Sequence, residues 1–268
     1  MRKMSLLISA IILLSSAVGP SSARAQDFSL YQKKEFVRDG KTLPYRILYP
    51  KFYQTGKKYP LLVFLHGSGE RGSDNAAQLL HGGFLFLQDS IRRNYPAIVV
   101  FPQCPADSSW SYLEFKYDAG LKRGILTGPY RQEPTEPARW VKELTDSLAG
   151  SGMVDEKRIY IEGLSMGGFG VFDMLERYPD YFAAAIPICG GGDTTMATRF
   201  AGKTPVRIFH GGADPIVTVE SSRRYYRALK ALGADVQYTE YPGVGHNSWD
   251  NVFVEKDLLH WLFSNKKE

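Results

Sequence analysis

Short, predominantly apolar runs punctuate this chain, each stopped by glycine, proline or a small polar residue. They cover 61–65, 98–101, 158–162, 183–188, 206–209 and 236–241, and two further β-rich segments, 34–38 and 43–49, flank the turn Asp39-Gly40. A strand with one wet face alternates apolar and polar residues, whereas a nearly continuous apolar run is covered on both faces, as in parallel sheets. Helical spacings lie between the runs, at 74–88, 136–148, 166–178, 219–232 and 249–263. Strand then helix, repeated, predicts an α/β fold: a mostly parallel twisted sheet with helices on both faces. Glycines and polar residues collect where the runs end, at His66-Gly67-Ser68-Gly69, Gly163, Cys189-Gly190 and His210-Gly211-Gly212. Such strand ends are where parallel sheets hold ligands.

The stretch 105–137 breaks this rhythm, with Trp110, Tyr112, Phe115, Tyr117 and Tyr130 set among charges without a convincing period. Long loops in compact domains are usually functional, and aromatic content argues against disorder. The segment is therefore expected to form a cap or wall beside the site. No internal repeat divides the chain, so one domain is expected over 26–268. Residues 1–25 have the pattern of a cleavable signal peptide: Arg2 and Lys3, an apolar core at 6–14, then Ala23-Arg24-Ala25 before Gln26. That apolar core is far short of the ~20 residues that span a bilayer, and no cysteine follows it for lipidation. The expectation is a secreted or periplasmic protein with no membrane span after cleavage.

Composition changes the picture little. Of 268 residues, 44% are hydrophobic and 23% charged, an ordinary globular balance that can bury a core. The net charge is +5, but Arg2, Lys3 and Arg24 lie in the leader, and no run of five basic residues occurs. Nucleic acid is therefore not an expected partner. Cys104 and Cys189 each follow a strand. The expected sheet separates them by about three strand spacings, ~14 Å, whereas a disulfide needs Cα atoms within ~7 Å. Two free, buried thiols are expected. Neither cysteine has a histidine or second cysteine at metal-ligand spacing, and no phosphate loop, dinucleotide fingerprint or H-E-x-x-H occurs, so no metal and no cofactor are expected.

The strongest chemical signal is Gly163-Leu164-Ser165-Met166-Gly167-Gly168, a G-x-S-x-G between an apolar strand and a helical pattern. A sharp strand-to-helix turn forces the serine into a strained conformation, and side chains two residues away would collide. The turn exposes the hydroxyl and aims the Met166 amide at the same point. Serine is a poor nucleophile unless a base takes its proton and an acid orients the base. In this kind of turn the order is serine, acid, histidine. Asp214, in His210-Gly211-Gly212-Ala213-Asp214, and His246, after Gly245, supply them, 49 and then 32 residues on. Asp193 is the rival acid. Among rival histidines, His260 reads as a packed helix residue and His81 as part of a helix. His210 is expected to brace its turn, and His66 to tie down its loop. Asp250 reads as an early-helix residue, and Ser73, Asp74 and Asn75 as helix caps. A developing oxyanion needs two donors. Met166 is one, and Ser68 is assigned as the other, with Gly67 or Gly69 as alternatives. Trp110 is a candidate to stack on a sugar or phenolic ring of the substrate.

With these motifs in hand, the chain from about residue 43 to 263 resembles the α/β-hydrolases. More narrowly it resembles exported feruloyl and acetyl-xylan esterases and polyhydroxybutyrate-depolymerase-like enzymes. The resemblance rests on 65–72, Phe101-Pro102-Gln103-Cys104-Pro105, 163–168, 210–214 and Gly245-His246. Gly69-Glu70-Arg71-Gly72 and Pro102-Gln103-Cys104-Pro105 are narrower, and also resemble predicted peptidases and phospholipase/carboxylesterase-like proteins. The resemblance implies a serine carboxylic-ester hydrolase with Ser165, His246 and Asp214 as its triad. The implied substrate is a small-molecule or polysaccharide ester, with acetyl or feruloyl esters of plant polysaccharide foremost. The alternatives are a general carboxylesterase, a serine peptidase of the prolyl-oligopeptidase kind, whose extra domain the ~243 residues after the leader leave little room for, and a non-catalytic binding protein on the same scaffold. No motif of the family's sugar- or aryl-binding residues is present.

Overall fold

A computed structural model describes residues 27–268; the expected signal peptide lies outside the described residues. The chain opens with the hairpin β1 (Gln32–Arg38) and β2 (Lys41–Leu48), then passes through β3 (Tyr59–Leu65), α1 (Asp89–Asn94) and β4 (Ile98–Pro102). A second hairpin, β5 (Glu114–Asp118) and β6 (Arg123–Thr127), leads to α2 (Glu136–Ala149), β7 (Val154–Leu164), α3 (Met166–Arg177) and β8 (Ala184–Ile188). β9 (Val206–Gly211), α4 (Glu220–Ala231), β10 (Val236–Tyr241), α5 (Trp249–Val252) and α6 (Leu258–Ser264) complete the order. Eight strands form one sheet in the order β1-β2-β4-β3-β7-β8-β9-β10. The six from β4 to β10 run parallel, and β1 and β2 are antiparallel at one edge.

The continuous apolar runs do what their pattern predicts. On β3, Leu61, Val63 and Leu65 pack into one layer, with Val141 and Leu144 of α2, Phe172 of α3 and Leu229 of α4. Leu62 and Phe64 pack into the other, with Val252 of α5 and Leu259 of α6. Every side chain of β3 is buried because helices cover both faces. Thr135 caps α2 by accepting from the Ala138 amide, and Pro137 sits in the first turn, where its missing N–H costs nothing.

Three segments differ from the sequence expectation. Residues 74–88 form two 3₁₀ turns, Ala77–Leu79 and Leu85–Leu87, and not an α-helix. Gly82 lies between them at φ +87°, outside helical space, and a Cβ there would come within 3.0 Å of Phe64. The pattern 249–263 splits into α5 and α6. In one straight helix Phe253 and Leu258 would point about 140° apart, yet both are buried in the same layer, so the helix breaks. The stretch 105–137 contains the β5–β6 hairpin. Among the described side chains its strands bury only Ile125 deeply, while Phe115 and Tyr117 stand 79% and 72% exposed, so no core-facing period marks it. His260, expected to be packed, is exposed on α6. Cys104 and Cys189 are free and buried. Among the described residues no helix is long and apolar enough to cross a membrane.

Glu162 of β7 is fully buried and neither carboxylate oxygen has a hydrogen-bond partner. Burial pushes its carboxyl up to about 8, from an ordinary 4.5. Between those values the unfolded chain has released this proton and the folded one has kept it, so the group's stabilising contribution is lost as pH rises. Glu162→Gln cannot titrate. Chemical denaturation from pH 5 to 9 should therefore show the wild type losing up to about 1.4 kcal/mol per pH unit relative to the variant. Parallel pH dependences for the two proteins would contradict this.

Candidate active site

β7 ends in a turn that brings three backbones together. A Cβ on Gly163 would lie 2.6 Å from the Gly167 oxygen, one on Gly167 1.9 Å from the Leu65 oxygen, and one on Gly168 2.5 Å from the Ile188 oxygen. Only glycine allows the start of α3 to press this closely on β3 and β8. Ser165, at the apex, has φ 53° and ψ −118°, and its amide donates to the Ile188 oxygen at 2.9 Å. The strain is held by the surrounding backbone and turns the serine side chain out of the sheet.

His246, in the loop after β10, meets Ser165 with Nε2 2.9 Å from Oγ, while its Nδ1 lies 2.7 Å from Asp214 Oδ2. Asp214 follows β9. Its Oδ1 accepts from the amides of Ile216 and Val217 at 2.8 and 3.0 Å, and His210 Nε2 lies 3.3 Å from Oδ2. Burial alone would raise the Asp214 carboxyl, but hydrogen bonds from His210, His246 and backbone amides hold it well below the carboxylate range. Asp214 is therefore an ionised acceptor. Nδ1 of His246 must carry the proton, and the Nε2 lone pair faces the serine hydroxyl. His210 is wholly buried and also bonds Ser222 Oγ at 2.7 Å and the Val217 oxygen at 3.0 Å, so it braces the Asp214 turn. Ser165, His246 and Asp214 thus form one hydrogen-bonded chain. Asp193 does not join it; its carboxylate accepts from the Thr195 amide and hydroxyl.

The loop after β3 lies alongside. A Cβ on Gly67 would stand 3.7 Å from that of Ser165. Ser68 is exposed at the start of the 3₁₀ turn Ser68–Glu70, held by Arg71, which donates to the oxygens of Ser68 and Ser108 at 2.9 and 3.1 Å. Met166 is buried at the first position of α3. His66 accepts from the Cys104 amide at 3.0 Å and contacts the Gly67 oxygen at 2.6 Å. Burial pulls its imidazole down to about 4, so it stays neutral and ties down the loop.

Trp110 corrects the expectation of a substrate-stacking ring. It is 1% exposed, its Nε1 donates to the His66 oxygen at 3.0 Å, and its ring meets His66 at 5.1 Å. A satisfied N–H and a wholly packed ring leave no face for a ligand. Two residues at the site carried no sequence signal of their role. Trp249 packs its ring 5.4 Å from His246 and 5.0 Å from His81. Glu70, visible only as part of a motif, is 6% exposed and lies 3.6 Å from His81. His81 itself is in the turn between the two 3₁₀ segments, not on a helix.

A mostly parallel sheet, with a strained serine turn after a central strand and a histidine loop after the last, defines an α/β-hydrolase. The chain has this fold, and the proteins it is similar to include esterases. Residues 128–251 match the Dienelactone hydrolase family. A thermostable esterase of known structure is 36% identical with a TM-score of 0.78, covering 90% of this chain and 64% of that one. Acyl-protein thioesterase 1 of Gibberella zeae is 27% identical over 204 residues, 70% of this chain and 83% of that protein. The feruloyl esterase module from Clostridium thermocellum shares the fold at a TM-score of 0.60 and 16% identity, covering 91% of this chain and 94% of that one.

The close approach at Gly167 generates a direct expectation. Gly167→Ala must push α3 off β3 and should lower unfolding stability by about 3 kcal/mol in urea titration. A stability unchanged within error would show that the turn has slack.

Proposed function

We propose that this protein hydrolyses carboxylic esters through an acyl-enzyme, with Ser165 as nucleophile, His246 as general base and then acid, and Asp214 as the orienting carboxylate. The unbroken hydrogen-bonded chain from Ser165 Oγ through His246 to Asp214 carries this reading. As Oγ attacks the ester carbonyl, Nε2 of His246 takes the hydroxyl proton, and Asp214 stabilises the imidazolium that forms. The amides of Met166 and Ser68 face the developing oxyanion; one such donor is worth about 3–4 kcal/mol. His246 returns the proton to the departing alcohol. Water then attacks the acyl-enzyme by the same route and releases the acid.

The substrate we favour is acylated plant polysaccharide, met outside the cytoplasm after removal of residues 1–25. Support comes from Phe115 and Tyr117, whose exposed rings on β5 offer apolar faces of the kind on which sugar and phenolic rings stack. The hairpin joins the framework at the first turn of α3, since a Cβ on Gly128, the residue after β6, would meet Phe169 at 2.9 Å and Gly192 at 3.3 Å. Related chains include a bifunctional acetylxylan esterase/xylanase of Neocallimastix patriciarum, 28% identical over 96 residues.

Two assays test this. On p-nitrophenyl acetate, Ser165→Ala should lower kcat/KM by about 10⁴-fold or more with the fold retained; equal turnover by the two proteins would overturn the mechanism. Acetylated and feruloylated xylan fragments should be cleaved with higher kcat/KM than simple acyl esters. Replacing Phe115 and Tyr117 together by alanine should erase that preference while sparing p-nitrophenyl acetate. A wild type that favours the simple esters would remove the polysaccharide from the proposal.

A further inference from the structure

Cys189 directly follows β8, wholly buried and at φ 40°. One ligand atom each from Cys189, Asp214 and His246 lies within 4.8 Å of the other two. Ser248 Oγ, wholly buried and without a hydrogen-bond partner, sits against the same thiol. The sequence separates Cys189 from His246 by more than fifty residues, with no ligand spacing; the sheet alone brings them together. A thiol, an imidazole and a carboxylate form the donor set of Zn²⁺ and related soft or borderline cations, whereas Mg²⁺ and Ca²⁺ take oxygen ligands. Around Zn²⁺, with bonds of about 2.3 Å to sulfur and 2.0–2.2 Å to nitrogen and oxygen, tetrahedral ligand atoms stand about 3.3–3.7 Å apart. The three groups need to draw together by about 1 Å. His246, with its side chain 20% exposed, gives a cation its way in from the substrate face.

We propose that Cys189, Asp214 and His246 form an inhibitory binding site for a thiophilic divalent cation, with Zn²⁺ as the type. Its effect on turnover rests on the esterase reading; the binding itself does not. On binding, the thiol releases its proton to solvent, the neutral imidazole holds its single proton on whichever nitrogen faces away from the metal, and the thiolate, one carboxylate oxygen and the free imidazole nitrogen each donate a lone pair to the metal. No electron is transferred, and water or Ser248 Oγ completes the coordination. An imidazole and a carboxylate engaged in this way no longer act as a proton acceptor and its orienter, so Ser165 loses its base.

Co²⁺ added to metal-free protein should produce a near-ultraviolet thiolate-to-cobalt charge-transfer band in the wild type and none in Cys189→Ala. Zn²⁺ should slow p-nitrophenyl acetate hydrolysis, EDTA should restore it, and Mg²⁺ should leave it unchanged. Cys189→Ala and Cys189→Ser should keep the metal-free rate. They should need at least about 10–100-fold more Zn²⁺ for the same inhibition, the loss that follows removal of even an outer partner of a metal site. A wild type without the band, or variants as sensitive to Zn²⁺ as the wild type, overturns the proposal. Because Cys104 is a second free thiol, the band is assigned by its loss in a folded variant, and Cys189→Ser carries that comparison if Cys189→Ala fails to fold. A band in a protein that turns over no ester would instead count against the esterase reading and leave the metal site standing.

Discussion

Three glycines at one strand-to-helix turn set the distances on which the site depends. Gly163, Gly167 and Gly168 each stand where a methyl group would overlap a backbone oxygen or carbonyl of β3, β8 or the turn itself. Such an approach locks the start of α3 between two central strands, and the lock holds Ser165 at a positive φ that no side-chain contact could impose alone. The strained serine is therefore paid for by the best-packed part of the molecule, where β3, β7 and β8 are buried on both faces. The position of the Ser165 hydroxyl is a consequence of backbone packing in the core. His246 and Asp214 arrive on loops after β10 and β9, and only the parallel register of those strands brings them level with the turn.

Electrostatics then sorts the polar groups. Five histidines occur in the chain, and the fold gives them different environments. His66 is buried among backbone partners and held neutral, so it serves as a fixed brace. His210 spends its nitrogens on Ser222, Val217 and the Asp214 carboxylate. His246 has the Asp214 carboxylate on one nitrogen and the Ser165 hydroxyl on the other, and unlike the wholly buried His210 its side chain reaches the surface. Asp214 can remain charged although buried because two amides and two imidazoles face it. Glu162, two residues before Leu164 on the same strand, has no such partners, and burial keeps it protonated. Two buried carboxyls, one on β7 and one after β9, thus differ in charge because of their donors, not their depth.

The features legible in the sequence were those set by short-range rules. Apolar runs mark the central parallel strands because burial on both faces leaves few positions for a polar residue, and the more polar 236–241, at the sheet edge, still matches β10 residue for residue. The serine turn was legible because close backbone approach demands glycine at fixed offsets. What escaped depends on long-range partners. The bend at Gly82 exists because Phe64, on another element, occupies the space a helix would need. The division between α5 and α6 answers to the direction of the sheet, which local spacing does not encode. Trp110 looked like a ligand platform because an aromatic in an irregular stretch carries no mark of depth; the backbone oxygen of His66 that claims its N–H lies 44 residues away. The proximity of Cys189 to His246 is of the same kind, created by strand order alone.

These observations separate a rigid reaction centre from an adaptable rim. Ser165 cannot move without disturbing β3 and β8, and Asp214 cannot move without stripping donors from a buried charge. The β5–β6 hairpin has neither constraint: it forms its own two-stranded sheet, and its outer aromatics face water. Its link to the framework is local, through Gly128 against Phe169 and Gly192 and through Arg224, which pairs with Asp118 at 2.7 Å on a partly exposed surface where such a pair contributes little to stability. Substitutions on the hairpin can therefore change its surface without disturbing the serine turn. Chains that share this core but differ in substrate are expected to diverge first where the backbone is least committed to the sheet.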